Sequence, residues 1–92
     1  MFFKTKINLG FCGMDTVVYF QTVSQKDAED YAREIAIGWA ESYGFEQNEE
    51  VFGDQDTIGC NFDEDEQEYD DVGLLNYSVE EVSEEEYVKN NN

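Results

Sequence analysis

Residues 63–71, DEDEQEYDD, place seven carboxylates within nine positions. Asp54, Asp56 and Gly59 match positions 1, 3 and 6 of a calcium loop, with Asp65 at position 12. In these two constellations residue type and spacing suggest chemistry. The calcium pattern fails at its other positions: Ile58 stands where an oxygen ligand belongs, Asp replaces the bidentate Glu, and no flanking helices frame the loop. No metal site is expected. The chain has no histidine for acid–base work and no nucleophile elbow, and Cys60 falls at an inward strand position where a thiol is inert. The expectation is therefore a protein that is not an enzyme and carries no cofactor. Two cysteines without CxxC spacing exclude the usual zinc sites and fit a reducing compartment. With no P-loop, dinucleotide fingerprint or basic patch, and a formal net charge of −18, neither nucleotide nor direct nucleic-acid binding is expected.

That leaves the acids themselves. From position 1 to 40 there are five acids against four bases; from 41 to 88 there are eighteen acids and no base. Acids kept for solubility alone would be spread over the surface, whereas a one-sided field acts on partners and association rates. Aromatics are interleaved at Phe62, Tyr69, Tyr77 and Tyr87. Alternate carboxylates on a strand stand roughly 6.5 to 7 Å apart, close to the spacing of neighbouring phosphates. Such a surface imitates nucleic acid and would meet Lys and Arg that otherwise hold phosphates, through the same counterion release. The expected partner-binding residues are Asp63, Glu64, Asp65, Glu66, Glu68, Asp70 and Asp71, then Glu80, Glu81, Glu84, Glu85 and Glu86, with Tyr69 or Tyr87 as the aromatic anchor.

The elements that must position these residues are organised around a helix over residues 24–45. Ser24 with Asp27 forms a capping pair, and Gly44 supplies the left-handed residue that closes the helix, so that Phe45 can fold back on the last turn. At helical spacing Ala28, Tyr31, Ala32, Ile35, Ala36, Trp39 and Tyr43 make the buried stripe, with Trp39 central to the core. Ile37 lies among the acids opposite, so it is either a partner contact or is covered by another segment. Residues 2–9 alternate as a half-buried strand. Gly10, Gly13 and Asp15 mark a turn into a second strand over 16–23, in which Val17 and Tyr19 point one way and Val18 and Phe20 the other. A third strand is expected over 57–62, with Ile58, Cys60 and Phe62 on one side and Gly59 weakening it or marking a bulge. The dense acids of 63–71 read as a loop, 73–82 as a fourth strand, and Ser83 with Glu86 as the cap of a further helical turn. The fold expected is α+β: a four-stranded antiparallel sheet in β-β-α-β-β order with one long helix on one face. Residues 1–89 form the single domain and 90–92 a disordered tail.

The interrupted first apolar segment reads as neither signal peptide nor membrane span, which makes the cytoplasm the expected compartment. In size, charge and layout, including the SQKDAEDYA start of its helix, the chain resembles the small acidic phage-encoded inhibitors, anti-CRISPR and anti-restriction proteins among them. The resemblance implies a basic, nucleic-acid-binding host protein or ribonucleoprotein as target, a CRISPR effector or restriction enzyme, met in the host cytoplasm. The rival expectation is a structural or regulatory adaptor that homodimerises through an apolar sheet face, its charge serving only solubility.

Overall fold

In the computed structural model, which describes residues 1–9 and 13–91, β1 (Phe2–Leu9) pairs antiparallel with β2 (Met14–Gln21) along its whole length. The alternation in β1 has its expected consequence: Phe3, Thr5, Ile7 and Leu9 are buried while Lys6 and Asn8 are exposed. In β2, Val18 and Phe20 face the core, and Val17 lies on the outer side. Of the expected turn, Gly10 lies outside the described residues, as do Phe11 and Cys12. Gly13 adopts a positive φ of 72°.

Helix α1 (Gln25–Ser42) is shorter than the 24–45 expected, because its ends are spent on caps. The Ser24 hydroxyl accepts from the Asp27 backbone N–H at 3.2 Å. At the other end Gly44, at φ 90°, donates to the Glu41 carbonyl and Phe45 donates to that of Ala40, a Schellman closure that places Phe45 against Ala40 in the core. The buried row is Ala28, Ala32, Ala36 and Ala40, which corrects the broader stripe expected. Short side chains at i, i+4 spacing leave the interlayer space to the sheet's own Phe3, Phe20, Ile7 and Leu9. The helix's large residues are displaced to its margins. Tyr31 lies edge-on to Phe20, and Trp39 packs at the border of the core with its ring edge-on to Tyr43 instead of at the centre. Ile37 is half-buried against the core, the covered alternative of the two.

The single four-stranded sheet is corrected to two antiparallel sheets. In the first, β2 and β1 are continued on the other side of β1 by β6 (Asn76–Tyr77) and β7 (Glu80–Val82), so the fourth strand expected over 73–82 is divided into short pieces. The second has the order β3 (Glu46–Gln47), β4 (Thr57–Asp63), β5 (Glu68–Leu74). Its residues Ile58 and Leu75, from β4 and just beyond β5, enter the core with Ile7, Leu9, Ala36, Ala40 and Phe45. A one-turn helix α2 (Glu49–Phe52) joins β3 to β4, and α3 (Glu84–Asn90) closes the chain with Ser83 as its cap. Asn90, placed in the tail by sequence, is the last residue of α3.

Candidate acidic interface

Residues 63–71, expected as a loop, form the tip and one arm of the β4–β5 hairpin, with Asp63 opposite Glu68 and Phe62 opposite Tyr69. The reason is local. Asp63 accepts through Oδ1 from the backbone N–H groups of Asp65 and Glu66 at 2.9 and 3.3 Å, Gln67 takes a positive φ of 58°, and its side chain donates to the Glu64 carbonyl at 2.6 Å. Residues 64–67 thereby make a self-bonded reversal that directs their carboxylates outward. Asp63, Glu64, Asp65, Glu66, Glu68, Asp70 and Asp71 are all exposed, and among the described residues none of them is ion-paired. Asp71 accepts from the Cys60 thiol at 3.6 Å, so Cys60, half-buried, is in contact with the acidic strand.

Tyr69, expected with Tyr87 as a candidate aromatic anchor, has its ring packed in the interior of this sheet. It is 8% exposed and packs between Phe52 and Phe62, at centroid distances of 5.0 and 4.7 Å. Its ring starts on β5, passes over Gly59 of β4 and ends at β3, where the hydroxyl donates to Glu46 Oε2 at 2.9 Å and accepts from Asn48 Nδ2 at 3.2 Å. A Cβ at position 59 would lie 2.8 Å from Tyr69 Cβ and Cγ, so Gly59 makes this crossing possible. Burial, opposed by the Asn48 hydrogen bond and reinforced by Glu46, holds the phenol above its ordinary pKa. Asn48 also caps α2 by accepting from the Val51 backbone N–H at 3.3 Å. Glu46 and Asn48 support the hairpin yet escaped sequence reasoning, and Gly59, expected to weaken the strand or mark a bulge, instead makes room for the Tyr69 ring. The available signal was a lone aromatic among acids following a glycine-bearing strand.

The acids over 80–87 sit elsewhere, on β7 and α3 against the first sheet. Lys4 of β1 lies 3.7 Å from Glu80 and 3.3 Å from Glu86, and the Tyr19 hydroxyl donates to Glu86 at 3.2 Å. Tyr87 packs on Phe2 at 4.7 Å. These contacts fasten α3 across the outer face of β1 and β2, so Glu80, Glu86 and Tyr87 are partly spent inside the molecule. Glu81, Glu84 and Glu85 remain exposed. The structure thus divides the candidate residues into a hairpin group with no cation partner among the described residues and a second group partly neutralised by Lys4.

Asp54 of the calcium-like spacing serves the turn before β4: it accepts from the backbone N–H groups of Thr57 and Asp56 and from the Thr57 hydroxyl. The bonds from Thr57, backbone first, hold its carboxyl below the ordinary range. Asp56 faces Arg33 of α1 at 3.5 Å. Among the described residues no group of three His, Cys, Asp or Glu side chains is placed to hold a metal ion, and no helix is long and apolar enough to cross a membrane. No known protein family, curated protein or solved structure matches the chain.

Proposed function

We propose that the protein is a non-enzymatic inhibitor that seats its acidic hairpin in the nucleic-acid site of a basic host protein or ribonucleoprotein, such as a CRISPR effector or a restriction enzyme. One observation carries the reading: the seven carboxylates of 63–71 project from a hairpin without an internal cation partner among the described residues. Glu68 and Asp70 are alternate residues of one strand, and such positions stand about 6.5 to 7 Å apart, a spacing a phosphate-binding groove accepts. The field has little to oppose it, since positions 41–88 contain no Lys or Arg. The second group of acids, Glu81, Glu84 and Glu85, extends the negative surface on the first sheet.

The rival, an adaptor that dimerises through the outer sheet face, meets an obstacle in α3, whose Tyr87 covers Phe2 and whose Glu86 binds Lys4 and Tyr19 on that face. Affinity capture from a nuclease-treated bacterial lysate separates the readings. Mimicry requires that nucleic-acid-binding proteins are retained at low salt and released by high salt or by added DNA or RNA. Retention that is indifferent to salt and to added nucleic acid would favour the adaptor.

A further inference from the structure

β5 is the outer strand of its sheet, and among the described residues no strand pairs with its far side. Alternate backbone N–H and C=O groups along Glu68–Leu74 are therefore left to water. Proteins usually blunt such an edge with charged side chains, Lys above all, with Pro or with a covering segment. β5 contains neither Lys nor Pro, and its second half shows Val72 at 45% and Leu74 at 56% exposure. Its first half shows Glu68, Asp70 and Asp71. A second copy of this chain fits the edge poorly. Antiparallel self-pairing about the strand centre would set Asp71 opposite Asp71 and gather three carboxylates from each copy with no base between them, and like charges directly opposite are destabilising.

We propose that the β5 edge accepts an extended strand from a basic partner, adding it to the sheet with Lys or Arg side chains beside Glu68, Asp70 and Asp71 and apolar side chains beside Val72 and Leu74. The charge complement selects the occupant, and the backbone bonds fix its register. The inference rests on the acidic-interface reading and adds to it a mode of binding: the partner contributes backbone as well as cations. An added strand repeats its side chains on one face every 6.5 to 7 Å or so, the period on which Glu68 and Asp70 are set.

The test uses the isotope-labelled wild-type protein and a synthetic peptide of about eight residues, a common strand length, with Arg throughout the half that would lie beside Glu68, Asp70 and Asp71 and Val throughout the half that would lie beside Val72 and Leu74. Its companion has the same sequence with every backbone nitrogen methylated, which keeps the charge and side chains but removes the donors. Strand addition predicts that the unmodified peptide slows amide exchange along β5 by about tenfold or more, binds at least about tenfold more tightly than the methylated form, and leaves β2, an outer strand of the first sheet, unprotected. Equal affinity for the two peptides, with shifts confined to the acidic side chains, would overturn strand addition while leaving the electrostatic reading standing. Failure of both peptides to bind would remove both, and protection of β2 in place of β5 would refute the choice of edge.

Discussion

Tyr69 is flanked by Glu68 and Asp70, yet its ring is enclosed by Phe52, Phe62 and the bare backbone of Gly59. Truncation to Ala should cost about 3 to 5 kcal/mol, the range for a buried aromatic, whereas Tyr69→Phe should cost about 1 kcal/mol for the hydrogen bond to Glu46. Gly59→Ala should destabilise comparably to Tyr69→Ala, because the added methyl collides with the ring stem. Urea melts check all three; near-neutral effects for both Tyr69→Ala and Gly59→Ala would mean that the ring does not lie across the sheet. Trp39 works the other way. Expected at the centre of the core, it packs at the border with Tyr43, so Trp39→Ala should cost only about 1 to 3 kcal/mol, and a loss well above that in the same melts would return it to the centre. Trp39 misleads because helical spacing gives the buried side but not which row of it is central, here the alanines, and Tyr69 misleads because composition states whether a neighbourhood is polar, while burial depends on what crosses it. Seven acids outvoted one tyrosine on paper, but the acids point outward and the tyrosine inward.

Elements with their own punctuation were legible. Ser24, Gly44 and Ser83 mark helix ends through bonds to backbone groups a few residues away, which a sequence displays directly. Strand β1 was legible through alternation, and β2 through its β-branched and aromatic density, though expected over 16–23 and observed over Met14–Gln21. The hairpin was not, since the Asp63 turn that creates it is written in the same residue types as the charge run that conceals it. Nor could the sequence say that residues 73–82 divide between two sheets, because that depends on pairing with the distant β1. The α3 attachment is likewise non-local, and it makes a pH prediction. The hydrogen bond from Lys4 to Glu86, opposed by burial and aided by the charges of Glu80 and Glu86, raises the Lys4 pKa; burial first, then Glu86, raises that of Tyr19. Tyr69 is raised too. Each group loses its proton at lower pH in the unfolded chain, so its contribution is complete below about pH 10 and is lost as pH rises through the folded values. The urea midpoint should therefore hold up to about pH 10 and fall as pH rises beyond it, and less so in a Lys4→Met, Tyr19→Phe double variant. A midpoint that stays flat beyond that pH would contradict these contacts.

The whole molecule is drawn out, with extents of 51 × 24 × 16 Å and a radius of gyration of 15.0 Å, against roughly 12 Å for a compact chain of this length. Two sheets sharing one small core produce that shape where a single four-stranded sheet under a helix would be rounder. An extended body with a net charge of −18 repels itself. Moderate salt should accordingly raise the urea midpoint of the isolated protein and weaken its complex, two effects of opposite sign from one screening length of about 10 Å at 0.1 M; a midpoint insensitive to salt would remove self-repulsion as a factor in stability. The central claim is that placement of the hairpin carboxylates matters beyond total charge, and comparing two variants of equal charge tests it most directly. In the first, Asp63, Glu64, Asp65 and Glu66 become amides, with Asn at 63 retaining the oxygen that holds the turn. In the second, the exposed Asp15, Glu29, Asp30 and Glu34 become amides. Each is immobilised and challenged with nuclease-treated bacterial lysate at low salt, and the protein that added duplex DNA or RNA releases is quantified. The account predicts capture reduced by about tenfold or more for the hairpin variant and close to wild type for the other, both folded by circular dichroism; equal capture by the two variants, or a loss confined to the second, would contradict it.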